Sequence, residues 1–436
     1  MAPVSVTPLL LRPVNESWPL LVRCPVEVRD AGGRSTVYHL LIGLDPLRPE
    51  TVAPDDVIAE VAGSGTSPSI VCFTAEADPR LREVLAAVVA PDVTIRRSTI
   101  LGGDYSNTVI VYDDRWMLKL FRRLDHGPNP DAEVPVGLGR AGFTDVAPIP
   151  VSTWCEDGAD LAVMRPFFPD AIDGVAVASE SVGECLSTRR APEQTRLDPA
   201  DIGTELGKVV ARMHLGLAAA FGQEPLRGPA LAELLVARLD AVHVEGLDLA
   251  PVRAVYAALA SADDLGAAIR IHGDLHLGQV LRSKRDWWVV DFEGEPTRSL
   301  EERRAPGPPL RDVAGMVRSF GYAAEFGLRA ERDDGLEAEA GGQSDESELD
   351  RREPALLAEA WQERAERAFV LAYSATDGVD QLLPRSPASR DALLRVLELD
   401  KALYELAYEE AHRPHLTAIP RRAVARLTAD DHHRRW

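Results

Sequence analysis

Between Pro19 and Asp45 the chain alternates apolar and polar residues in two β-branched runs, and Asp30-Ala31-Gly32-Gly33 separates them. Alternation with a period of two buries one face of a strand, and a glycine-rich break between two such runs predicts a hairpin. Residues 81–90, LREVLAAVVA, shift toward helical spacing and predict a short helix. A second alternating set follows: TVIVY and WMLKLF flank the turn Asp113-Asp114-Arg115, and DLAVMRPFF adds a third apolar strand, 160–168. Beyond that strand the period changes. Asp198-Pro199 is an N-cap followed by proline at the first helical position, and Ile202, Leu206, Val209, Val210 and Met213 then fall on one face. Further helices are predicted from near Asp312, over about 354–374, and over 389–412.

These elements predict an α+β chain. Residues 1–95 form a small α+β cap, 96–168 a β-rich lobe, and 169–436 a mostly helical lobe. Residues 331–350 carry nine acidic residues against one arginine. They are read as a solvated, disordered insertion. The tail after Asp430, with its paired histidines, is read as frayed.

Composition narrows the class. The chain has 436 residues, 45% of them apolar, enough for two or three domains with cores of their own. A net charge of −21 argues against nucleic acid or an anionic membrane as a main partner. Cys24, Cys72, Cys155 and Cys185 are far apart, with no metal-ligand or redox spacing. The start of the chain has no signal-peptide pattern, and no run reaches the roughly 18 apolar residues of a membrane span. A cytoplasmic protein is expected.

The candidate chemistry lies in IHGDLHLGQVL, 271–281, and VVDFEGEP, 289–296. Phosphoryl transfer to a hydroxyl needs a held acceptor, a proton acceptor and cations over the phosphate oxygens. Asp274, in a loop, suits the base. Gln279 and Asp291, an amide and a strand-end carboxylate, suit magnesium ligands. The five-residue step from Asp274 to Gln279 equals the Asp-to-Asn step of the protein-kinase catalytic loop. Lys119, inside a strand, suits the ATP phosphates, with Glu133 in GPNPDAEV as its partner. Ser106 and Asn107 are candidate donors beside Gly102-Gly103, and the strand at Met164 to Pro166, with Arg165, is a candidate hinge whose backbone meets adenine. His272 is expected to hold the loop through backbone hydrogen bonds. His276 is either a support or a substrate contact.

With these residues, HGDLHLGQVL, DFEGEP, EERRAPGPPLRDVAGMVRSFGYAA, LELDKALYELAYEEAHRP and YSNTVIVYDDRWMLKLFRR resemble the actinobacterial maltokinases from about residue 98 onward, with weaker similarity before it. That resemblance implies the bilobal, protein-kinase-like fold of the aminoglycoside phosphotransferases. It implies magnesium- and ATP-dependent phosphorylation of maltose at its anomeric hydroxyl, and a link to a maltosyltransferase in α-glucan synthesis. It also implies that Lys401, Tyr404, Glu405 and Arg413 face the sugar. Three departures bear on the sugar. The family's opening RQRWYAGK-like stretch is absent, its Asp-Gly-Trp is Asp173-Gly174-Val175 here, and its late tryptophan after Arg-Pro is missing at Arg413-Pro414-His415-Leu416. Glucosamine 6-kinases of the same fold are the alternative; their blocks read HGDFHVGQ and DFDGNP, where this chain has Leu275, Leu277, Glu293 and Glu295. A nucleotide-binding pseudokinase scaffold is the alternative of another class, set against the presence of Lys119, Asp274, Gln279 and Asp291.

Overall fold

The computed structural model describes residues 4–63, 68–102, 107–242, 244, 246–262, 264–295, 298–339 and 348–429. The chain forms two compact units, one of residues 1–136 with 148–169, the other of 137–147 with 170–436.

The first unit contains two antiparallel sheets. In one, Leu20–Arg29 and Ser35–Asp45 pair from Leu20↔Leu44 to Arg29↔Ser35. The turn between them is held by Asp30, whose carboxylate accepts from the N–H groups of Gly32 and Arg34, and Gly33 takes the left-handed φ of 79° that closes it. The second sheet runs in the order Ser152–Glu156, Ala159–Pro166, Trp116–Leu120, Thr108–Tyr112, Ser98–Ile100. Helix Pro79–Val89 is capped by Asp78 and buries Leu81, Leu85 and Val89. These residues share one core with Leu21, Leu41 and Phe73 of the first sheet and with Ile110, Leu118 and Met164 of the second. The cap strands and the 98–166 strands therefore belong to one unit with one core.

The second unit is mainly helical. Pro199–Phe221 starts at the Asp198 cap and buries Ile202, Leu206, Val210 and Met213, each burial contributing about 1.5–3 kcal/mol. Gly207 lets helix Glu348–Ser374 approach: a Cβ there would stand 2.4 Å from the Phe369 carbonyl oxygen. Helix Leu310–Glu339 runs into the acidic stretch from one side and Glu348–Ser374 leaves it on the other. The reading of 331–350 as one disordered insertion is thus corrected at both ends. LEAEA is made of strong helix formers, so a helix anchored by buried residues such as Phe320 continues through it. Residues 340–347, and the histidine pair of the tail, lie outside the described residues. A three-stranded sheet of Ile172–Asp173, Val280–Ser283 and Asp286–Val289 carries the segment between Gln279 and Asp291. Among the described residues no helix is long and apolar enough to cross a membrane.

Candidate active site

The loop 270–279 follows the short strand Ala267–Ile269 and is fixed by a carboxylate distant in sequence. Asp312, 1% exposed, accepts from the backbone N–H of His272 and of Gly273, both at 2.8 Å. Its Oδ2 is also 3.1 Å from His214 Nε2, and His214 Nδ1 is 2.8 Å from the Tyr373 hydroxyl. Burial alone would favour a neutral Asp312. The hydrogen bond and charge of His214, with the donors of the loop, outweigh it and hold the carboxyl below its usual range. Gly315, one turn along the same helix, allows the loop to lie against it, since a Cβ there would stand 2.4 Å from the Leu275 carbonyl oxygen. His272 takes the backbone role expected of it, with Nε2 3.0 Å from the Val290 carbonyl oxygen.

Asp274 emerges from this loop with its side chain 23% exposed. Its Oδ1 accepts from Lys401 Nζ at 2.9 Å. Burial opposes its ionisation, yet Lys401, and then His276, lower its pKa below the ordinary carboxylate value. Lys401 responds in the opposite sense: burial works against its charge, and Asp274 and Glu405 more than restore it. His276 accepts from the Gly278 N–H at 3.0 Å, and burial holds it toward the neutral form. It caps the turn Leu277–Gln279, which makes it a support of the loop.

Gln279 and Asp291 meet, with Gln279 Nε2 donating to Asp291 Oδ2 at 3.1 Å. Asp291 adopts φ 64°, a left-handed conformation that costs a residue with a Cβ and is concentrated at functional positions. An amide and a carboxylate side by side are oxygen donors of the type a hard divalent cation takes.

In the first unit Lys119 sits in a strand between Val109 and Val163. Its Nζ is 3.0 Å from Asp131 Oδ2, and Arg165 Nη1 is 3.0 Å from Asp131 Oδ1. Asp131 is fully buried, and the two cations overcome that burial to hold it ionised. Asp131 is a carboxylate that sequence reasoning missed. It lies in the first helical turn with the expected partner, Glu133, where Asn129 accepts from the Asp131 N–H. Arg165 is therefore tied to the same anion as Lys119. The expectation that Met164 opens its backbone to adenine is corrected. Its carbonyl accepts from the Val151 N–H, it pairs with Ser152 and Leu118 on either side, and its side chain is in the core. Asn107 Oδ1 accepts from the Arg122 N–H. Ser106 lies outside the described residues.

Helix Pro387–His412 separates the four residues expected at the sugar. Lys401 and Tyr404 line a cavity of about 300 Å3 together with Asp274, the Lys401 ammonium lying 5.1 Å from the Tyr404 ring centroid. Glu405 is turned elsewhere: it accepts from the buried Arg318 through Nε at 3.0 Å and Nη2 at 2.7 Å. Arg413 is paired with Glu409 at 2.7 Å and lies over the Tyr408 ring. Neither Glu405 nor Arg413 lines the cavity. Two charged groups that the sequence reading did not place there do: Asp400, 3.0 Å from Arg238, and Glu295, 2.6 Å from Arg298 and 3.3 Å from Arg311. Adjacency to Lys401, and position in DFEGEP, were the available signals.

Comparison with known proteins agrees with this arrangement. The model of the phosphotransferase enzyme family, APH, matches residues 99–350. A glucosamine kinase of Streptacidiphilus jiangxiensis is 30% identical over 385 residues, covering 82% of this chain and 80% of that protein. A glucosamine kinase of Mycolicibacterium smegmatis is 30% identical over 338 residues, covering 74% and 78%. A glucosamine kinase crystal structure aligns with a TM-score of 0.64 at 23% identity over 96% of this chain and 92% of that one, a likeness of fold. The chain belongs to the APH phosphotransferase enzyme family and has its kinase-like fold.

Proposed function

We propose that the chain is an ATP-dependent sugar kinase whose acceptor is glucosamine, phosphorylated at its 6-hydroxyl. The observation that carries this reading is the ionised Asp274, held by Lys401 at the wall of a small polar cavity that also contains Asp400 and Glu295. Its volume lies at the small end of the about 300–1,000 Å3 range of ligand cavities, which suits a monosaccharide. Carboxylates suit the ammonium group of an amino sugar. The two glucosamine kinases of similar sequence support the same acceptor.

In this reading Asp274 orients the acceptor hydroxyl and takes its proton as the bond to phosphorus forms. Lys401 keeps Asp274 ionised and aimed. Lys119 contacts the ATP phosphates, held with Arg165 by Asp131. Gln279 and Asp291 are the residues that would hold magnesium, which when bound neutralises phosphate charge. The contact of Gln279 with Asp291 and the φ of Asp291 fit such a pair of oxygen donors. The four cysteines are free, which supports a reduced, cytoplasmic setting.

Maltose is the second reading, favoured by one observation. A neighbouring cavity of about 560 Å3 shares Arg238, Glu295, Arg298 and Arg311 with the first, so a second sugar ring has room beyond them. Against it, Val175 stands where the maltokinases have tryptophan, near the loop at Gly278. A competition assay decides: glucosamine and maltose at equal concentration, with the phosphorylated products separated. Glucosamine phosphate in excess supports the proposal, and maltose phosphate in excess overturns it.

A further inference from the structure

The cavity beside Asp274 contains a polar group to which neither reading gives a task. Tyr256, on helix Ala250–Ala258, is 0% exposed and lines the cavity. Its hydroxyl has no hydrogen-bond partner among the described residues. The polar side chains beside it on that wall are committed: Arg238 Nη1 donates to Asp400 Oδ2 at 3.0 Å. Helix residue Val252, fully buried one turn earlier, anchors the same face. A phenol needs a partner when it is buried, because the lost hydration is otherwise not replaced. Packing alone would be served as well by phenylalanine. A buried hydroxyl left open inside a ligand-sized cavity is therefore built for something that enters the cavity.

We propose that the Tyr256 hydroxyl hydrogen-bonds a ring substituent of the sugar acceptor and is a specificity-determining residue of this enzyme. The proposal rests on the sugar-kinase reading. In a hexopyranose C5, which carries the 6-hydroxymethyl group, stands across the ring from C2. With O6 at Asp274, the groups at C1, C2 and C3 reach toward the wall that the loop does not supply. Tyr256 with Asp400 and Arg238 forms that wall, from helices Ala250–Ala258, Pro387–His412 and Gly228–Ala241. The phenol can donate to a hydroxyl oxygen or accept from an O–H or an ammonium N–H.

The test is Tyr256→Phe, which removes the hydroxyl and keeps the ring. The KM for glucosamine rises about tenfold, while kcat and the KM for ATP hold within about twofold, the signature of binding lost equally in ground and transition state. A general loss of folding would not respect sugar chemistry, so the variant is run with 1-deoxy, 2-deoxy and 3-deoxy acceptors. For the wild-type enzyme, one of these deletions lowers kcat/KM about tenfold. In the variant the same deletion costs nothing further, since its partner is already gone. An unchanged acceptor KM, or equal wild-type-to-variant ratios across the whole set, overturns the assignment. A wild-type enzyme that ignores glucosamine and phosphorylates another sugar defeats the glucosamine reading alone. The same comparison on that sugar then decides Tyr256: a raised KM supports it and an unmoved one overturns it. A wild-type chain that binds no sugar in calorimetry overturns both.

Discussion

The loop and strand between His272 and Asp291 differ sharply from the helix Pro387–His412, although both contribute residues to one cavity wall. In the first, every residue singled out from sequence takes part in one constellation: His272 on the Val290 carbonyl, Asp274 exposed at the loop, and Gln279 on Asp291. In the second, Lys401 and Tyr404 go to the cavity, while Glu405 and Arg413 go to other partners. The difference is geometric. A tight loop followed by a two-stranded turn leaves its side chains few places to go, so spacing alone brings them together. A helix presents all its faces, and each face is assigned by whatever packs on it. Lys401 and Tyr404, three apart, share the cavity face. Glu405 and Glu409, four apart, share the face toward Arg318 and Tyr322, themselves four apart on helix Leu310–Glu339.

This contrast can be broken by mutation, from the largest effect to the smallest. Asp274→Asn is expected to keep the fold and nucleotide binding and to lower kcat by about 100- to 10,000-fold, read in steady-state kinetics. Turnover near that of the wild type would remove Asp274 as the proton acceptor. Asp312→Ala is expected to destabilise the protein by about 3–5 kcal/mol in urea unfolding, because His214 and two loop N–H groups lose a buried charged partner. Lys401→Met removes the cation that lowers the Asp274 pKa. The base works only when ionised, so the acid limb of kcat/KM against pH is expected to move to higher pH; an unmoved limb would separate Lys401 from Asp274 in solution. Glu405→Gln is expected to cost about 1–3 kcal/mol of stability through the buried Arg318, with the acceptor KM little changed. A large KM effect there would return Glu405 to the sugar. Arg413→Ala, on a half-exposed pair, is expected to stay within about 0.5 kcal/mol and to leave kinetics alone.

The strands, the hairpin at Asp30 and the helix opening at Asp198 were legible because each depends on local residues. Asp131 was not, although it lies two positions from Glu133, because the choice between two carboxylates in one helical turn depends on where Arg165 arrives from a distant strand. Asp312 read as no more than the start of a helix; its role needs His214 and the loop 272–273, far away in sequence. Met164 read as a hinge because the strand ends nearby, but strand pairing on both sides uses its backbone. The acidic stretch misled through charge, which argues for solvation but does not stop a helix already nucleated by a buried segment. For the sugar, the late blocks pointed toward maltose, whereas the relatives similar over most of the chain are glucosamine kinases. The residues that distinguish the two sugars lie on a cavity wall assembled from three helices and a loop, which no single block of sequence displays.

The central claim is the identity of the acceptor and of the atom that receives the phosphoryl group. The most direct test is phosphorus-31 NMR of the product formed by the full-length protein with ATP, magnesium and, in separate reactions, glucosamine, glucose, maltose, trehalose and kanamycin, with ADP release followed in parallel. The account predicts ADP release with glucosamine above all and a phosphate ester on its 6-oxygen. An anomeric phosphate on maltose would contradict it, as would ATP binding without phosphorylation of any sugar, the behaviour of a scaffold.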